Sequence, residues 1–124
     1  MENRPTILIV EDEELVREFA VELLCEFGYE VLSAADGHEA IALIDDGANR
    51  IDLLSTDIVM PGELAGYALA REARRRRPAL PILYTSGYTN RNPGGGAEAL
   101  GTMVVKPYRP DQLRTEIERA LRTM

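Results

Sequence analysis

The 124-residue chain has no tryptophan, one cysteine (Cys25) and one histidine (His38). A lone cysteine excludes an internal disulfide and a multi-cysteine zinc cluster. A lone histidine excludes a histidine-rich metal site. Basic residues are outnumbered as well, 14 against 21 acidic ones, for a net charge of −7. So acidic a surface argues against general binding to nucleic acid or anionic membrane and suits cations or basic partners. No apolar run approaches the roughly 18 residues of a membrane span. The start, MENRPTILIV, has no basic stretch ahead of an apolar one. The expected location is the cytoplasm. What the chain does have is 45% hydrophobic and 28% charged residues, the balance of a globular protein. The length fits one domain over residues 1–124, large enough to hide about two-thirds of its unfolded surface.

Two periodicities alternate along the chain. Thr6–Val10 is a short, continuous, β-branched apolar run, as in a strand buried on both faces. Leu15, Phe19, Leu23 and Phe27, with Val16, Ala20 and Leu24, then mark a stripe at helical spacing. Gly28 stands where the chain leaves that helix. Cys25 is expected in the core, on the buried side of the helix, and His38 in solvent. Glu30–Ala34 reads as a second strand. Asp36 is an N-cap with Glu39 three residues on, opening a helix through Ile44 that Gly47 can end. Ile51–Thr56 is a third strand and Leu64–Arg77 a third helix. Pro81–Thr85 and Thr102–Val105 are the fourth and fifth strands. Leu113, Ile117, Ala120 and Leu121 give the last helix its apolar face, and Asp111 suits the dipole at its start. Between Thr89 and Ala99, Pro93 and Gly94–Gly96 oppose the helix that the alternation calls for. A fourth helix there is short or disordered, confined to Ala97–Leu100.

Five strands alternating with helices predict an α/β domain, a doubly wound parallel sheet with helices on both faces. Ligands of such sheets bind outside the carboxyl ends of the strands. Strand one ends in Glu11 and Asp12, strand three in Asp57, strand four in Ser86 and strand five in Lys106. In the order 2-1-3-4-5 strands one and three are neighbours, so three carboxylates converge. They are stable together only if protons, Lys106 or a metal offset their repulsion. All-oxygen ligation suits Mg2+, whose open positions would accept a phosphoryl oxygen, leaving one acid to attack phosphorus.

The chain resembles a response-regulator receiver domain. The resemblance rests on ILIVEDE at Ile7–Glu13, DIVMPG at Asp57–Gly62, TSGY at Thr85–Tyr88 and VKP at Val105–Pro107. It implies a flavodoxin-like, five-stranded sheet of order 2-1-3-4-5. It also implies a phosphorylation-controlled switch that takes a phosphoryl group from a sensor histidine kinase or a histidine phosphotransfer protein. By position, Asp57 matches the phosphoacceptor, Asp12 the acid that binds Mg2+ directly, Glu11 the acid that acts through water, and Val59 the backbone carbonyl ligand. Lys106 matches the lysine that contacts the acyl phosphate, and its bond to Pro107 the family's cis peptide. Ser86, five positions after Pro81, matches the switch hydroxyl. Alternation puts Thr85 on the opposite face.

Some positions depart from the family pattern. Glu11 stands where aspartate is commoner. The loop from Asp57 to Gly66 is one residue longer, as in receivers attached to hybrid kinases. Met103 replaces a rotating aromatic ring. Val59 and Tyr88 border the phosphoryl site and imply slow self-dephosphorylation. The resemblance implies no enzyme beyond the protein's own phosphorylation and dephosphorylation, no direct DNA or membrane binding, and a downstream protein partner. A haloacid-dehalogenase-like phosphatase would need a second acid at Val59. A phosphorylation-independent binding module would not need the acid triad. The arginine run Arg71, Arg74–Arg77 reads as a solvated helix terminus, with an acidic or nucleic-acid partner as its alternative.

Overall fold

The central strands are built from residues that gain much by being covered on both sides, as the burial of Ile7–Val10 and Leu53–Asp57 shows. The structure, a computed structural model, describes residues 4–58, 62, 64–86, 102–105 and 109–122, of which 86, 102, 103 and 105 are described by backbone alone. The elements run β1 (Thr6–Val10), α1 (Glu14–Glu26), β2 (Glu30–Ala34), α2 (Gly37–Asp45), β3 (Leu53–Asp57), α3 (Gly66–Arg76), β4 (Ile82–Ser86), β5 (Thr102–Val105) and α4 (Pro110–Arg122). All strand pairs are parallel, in the order β2-β1-β3-β4-β5. The expected α/β sheet is therefore present, with its five strands. The expected short helix within Ala97–Leu100, the glycines Gly94–Gly96 and the side chain of Met103 lie outside the described residues.

Side-chain alternation along the strands divides the core in two. Leu8, Val10, Leu54, Ile82 and Tyr84 face α2 and α3, meeting Ala40, Ile44, Leu69, Ala70 and Ala73. Ile7, Ile9, Leu53, Leu83 and Val104 face the other layer, where Leu23 and Leu24 of α1 and Leu113 and Ile117 of α4 cover them. Each layer of helices thus conceals one face of one sheet, and the strand ends are left for the site.

Several local expectations hold in detail. α1 ends with paired backbone bonds: the Gly28 amide donates to the Cys25 carbonyl at 3.0 Å and the Tyr29 amide to that of Leu24 at 3.2 Å. The Asp36 side chain accepts from the Glu39 amide at 2.9 Å, and the Glu39 carboxylate accepts from the Ala35 amide at 2.8 Å. Other expectations are corrected. β3 and β4 start two and one residues later than predicted and each ends one later, so Asp57 is the last residue of its strand. α3 is shorter at both ends than the predicted Leu64–Arg77. Cys25 is exposed, not core. Leu15 and Phe19 are 80% and 56% exposed, although they belong to the apolar stripe of α1. The helix rests on the sheet through Ala20, Leu23 and Leu24, which turns the Leu15–Phe19 edge and Cys25 to solvent.

The arginine run is more than a solvated terminus. The Arg77 guanidinium donates to the carbonyls of Ile44 at 2.8 Å, Asn49 at 3.0 Å and Asp46 at 3.3 Å, capping the carboxyl end of α2. Arg74 donates to the carbonyl of Leu80. Arg76 bridges Asp45 and Glu72, and Arg75 pairs with Glu72.

Candidate functional site

β1 and β3 are neighbours in register, Val10 opposite Thr56. The next residues along the two strands, Glu11 and Asp57, therefore emerge side by side at the carboxyl edge of the sheet. Asp12 follows in the turn into α1. Glu11, Asp12 and Asp57 each present a carboxylate oxygen within 4.8 Å of the other two, with Glu11 and Asp57 buried and Asp12 exposed. Among the described residues this is the group of acids placed to share a cation.

The surroundings fix these acids closely. The Glu11 amide donates to the Ala34 carbonyl at 3.1 Å, extending the β1–β2 ladder past the strand. One Glu11 carboxylate oxygen accepts from the Glu13 amide at 3.2 Å. The Glu11 carbonyl accepts from the Arg17 guanidinium at 2.8 Å. Asp57 pairs with Thr85 in the β3–β4 ladder, and the next amide, Ile58, donates to the Thr85 carbonyl at 2.9 Å. Beneath Glu11 a cavity of about 20 Å³ reaches Ser55, Thr85 and Leu113, which is room for one water molecule.

Three like charges at this spacing repel strongly where water is partly excluded. The donor set is entirely oxygen, as a hard divalent cation requires. Two ligands on one octahedral Mg2+ stand at most about 4.2 Å apart, so acids spread over up to 4.8 Å fit it when one of them acts through water.

The loop that follows Asp57 is pinned at both of its described ends. Gly66 has φ +56°, and a Cβ there would overlap the carbonyl of Ile58. A Cβ on Gly37 would overlap the carbonyl of Leu64. Glycine is what lets α3 and the start of α2 approach the loop so closely.

The remaining expected positions stand differently. The backbone of Ser86 pairs with Val105, one step beyond the pairing of Thr85 with Val104. Its side chain lies outside the described residues, as do Val59, Tyr88, Lys106, Pro107 and Tyr108. Thr85, by contrast, is buried. His38 is exposed, as expected. Sequence reasoning missed Arg17. Its signal was available: an arginine in the first turn of α1 opposes the helix dipole and asks for a partner.

The chain matches the response regulator receiver domain family over residues 7–118. It belongs to that family. The sensor kinase CckA of Brucella abortus (strain 2308) is 36% identical over 94% of this chain, which spans 12% of that kinase. The response regulator SaeR of Staphylococcus aureus (strain USA300) is 32% identical over 95% of this chain, which spans 51% of that protein. The chain thus covers from about an eighth to about half of these relatives. Among solved structures, the response regulator TrrA of Thermotoga maritima, in complex with Mg2+ and BeF, superposes with a TM-score of 0.79 at 31% identity, covering 94% of this chain and 98% of that one. The receiver fold expected from the strand-end motifs is the fold found. No helix among the described residues of this receiver domain is long and apolar enough to cross a membrane.

Proposed function

We propose that this receiver domain is a switch that accepts a phosphoryl group on Asp57 from a phosphohistidine. The carrying observation is the convergence of Glu11, Asp12 and Asp57 within 4.8 Å at one edge of the sheet. An Asp57 carboxylate oxygen forms a bond to phosphorus as the bond from phosphorus to the histidine nitrogen breaks. The imidazole leaves with that electron pair and takes up a proton. Asp12 would hold Mg2+ directly, Glu11 through water, with Asp57 and the Val59 carbonyl completing the protein's share. Bound Mg2+ supplies positive charge where the phosphoryl oxygens arrive. Lys106, the residue after Val105 at the end of β5, would supply an ammonium to the same oxygens, as its match to the family's lysine implies. Ser86 reports their presence with its hydroxyl. Water later hydrolyses the acyl phosphate, and the chain turns over no other substrate. The donor is a sensor histidine kinase or a histidine phosphotransfer protein in the cytoplasm, and the output is contact with another protein.

A second reading concerns context rather than chemistry. Similarity to a stretch of the CckA sensor kinase supports a receiver module in a hybrid kinase or phosphorelay, which hands its phosphoryl group on to a histidine. The longer loop between Asp57 and Gly66 supports it too.

The deciding experiment is intact-mass spectrometry after incubation with acetyl phosphate, with and without Mg2+. A gain of one phosphoryl group that needs Mg2+ and vanishes in Asp57→Asn is expected. Phosphorylation that persists in Asp57→Asn, or its absence in the unaltered protein, overturns the reading.

A further inference from the structure

We infer that Arg17 is a positioning residue for the cation site, a role that rests on the Mg2+ reading above. Its guanidinium reaches back from α1 across the turn to the carbonyl of Glu11, six residues earlier, at 2.8 Å. Glu11 is the buried member of the acid group next to that turn. Its amide is tied to the sheet through Ala34 and one of its carboxylate oxygens to the Glu13 amide. The Arg17 bond holds the same residue from the helix side. Glu13, which occupies the N-cap of α1, makes no side-chain cap bond. The entry to this helix is therefore fastened by Arg17 instead of a cap, and what it fastens is the segment that carries two of the three acids. Glutamate has one more rotatable bond than aspartate, so this site has more side-chain freedom to remove than one built from aspartates.

Charge and geometry make opposite predictions for Arg17. A cation beside a cation site weakens ion binding by Coulomb repulsion, so removing Arg17 as a mere charge tightens Mg2+ binding. A residue that orients the segment bearing the ligands does the reverse, as outer-shell partners of metal ligands do. The sign of the change therefore separates the two roles, and folding stability alone does not determine it.

The test is Mg2+ titration followed by amide NMR shifts in the unaltered protein, Arg17→Met and Arg17→Lys, with thermal midpoints recorded without Mg2+. Arg17→Met is expected to weaken Mg2+ binding about tenfold, and Arg17→Lys to stay within about threefold of the unaltered protein. Faster exchange of the Glu13 amide should accompany the loss in Arg17→Met. Unchanged or tighter binding in Arg17→Met overturns the inference. Equal losses in both variants, matched by a fall in thermal midpoint, mark a merely structural residue and also overturn it. Should Arg17→Met fail to fold, Arg17→Gln carries the same comparison. If the unaltered protein shows no Mg2+ binding, the proposed function falls and the inference falls with it. Binding that Arg17→Met leaves intact removes the inference alone.

Discussion

The carbonyl oxygen of Leu64 lies where a side chain on Gly37 would begin. The first turn of α2 and the loop that follows Asp57 are thus in backbone contact, with no room for a methyl group. Gly37→Ala is expected to cost about 1–3 kcal/mol, as overpacking does, and to shift amide resonances around Leu64 and Asp57. Gly47→Ala is the control, because nothing lies within 4 Å of its Cβ position. It should be neutral or stabilise by up to about 1 kcal/mol in urea unfolding.

The three acids predict a stability that depends on divalent cations. At about 100 times its dissociation constant Mg2+ should add about 2.7 kcal/mol and raise the thermal midpoint by about 10 °C, with EDTA reversing the shift. Asp12→Asn should lose most of this response. Asp57→Asn should melt higher than the unaltered protein when no Mg2+ is present, because one of the mutually repelling carboxylates of the group is gone. That difference should shrink in high salt. Differential scanning calorimetry with and without the ion, and at low and high salt, checks all four.

Arg77 serves carbonyls of Ile44, Asp46 and Asn49 at once. Arg77→Ala leaves the end of α2 without these donors. A loss of about 2 kcal/mol is expected, with faster hydrogen exchange concentrated between residues 44 and 52. Arg75→Ala, where an exposed guanidinium meets only Glu72 among the bonds described, should cost much less.

Hydrogen bonds from Arg75 and then Arg76 hold the Glu72 carboxyl below its ordinary value of 4.5. A carboxylate with a depressed pKa contributes stability above its unfolded value and loses it as the pH falls through the folded one. The deficit of Glu72→Gln relative to the unaltered protein should therefore be present at pH 7. It should shrink once the pH falls below about 4. Urea midpoints at several pH values measure it, and a deficit that stays constant into acid would contradict the assignment.

The strands were legible because short runs rich in apolar and β-branched residues, clearest in Thr6–Val10, alternate with stripes at helical spacing. The acids were legible because they stand immediately after those runs. The face of α1 was not. Apolar residues at positions 15, 16, 19, 20, 23, 24 and 27 describe two adjacent stripes, and only docking on the sheet decides that Ala20, Leu23 and Leu24 go in while Leu15 and Phe19 stay out. Gly37 escaped attention for a related reason. Its partner, the carbonyl of Leu64, comes from a segment brought close by the fold, and backbone atoms leave no trace in residue type.

The place of β1 has a consequence for how the protein is made. The first strand of this domain to be synthesised, β1, lies inside the sheet, flanked by β2 and β3, so its second edge stays unpaired until translation has passed Asp57. At about 5–20 residues per second an apolar edge waits for seconds in the open, and the nascent chain needs shelter over that interval.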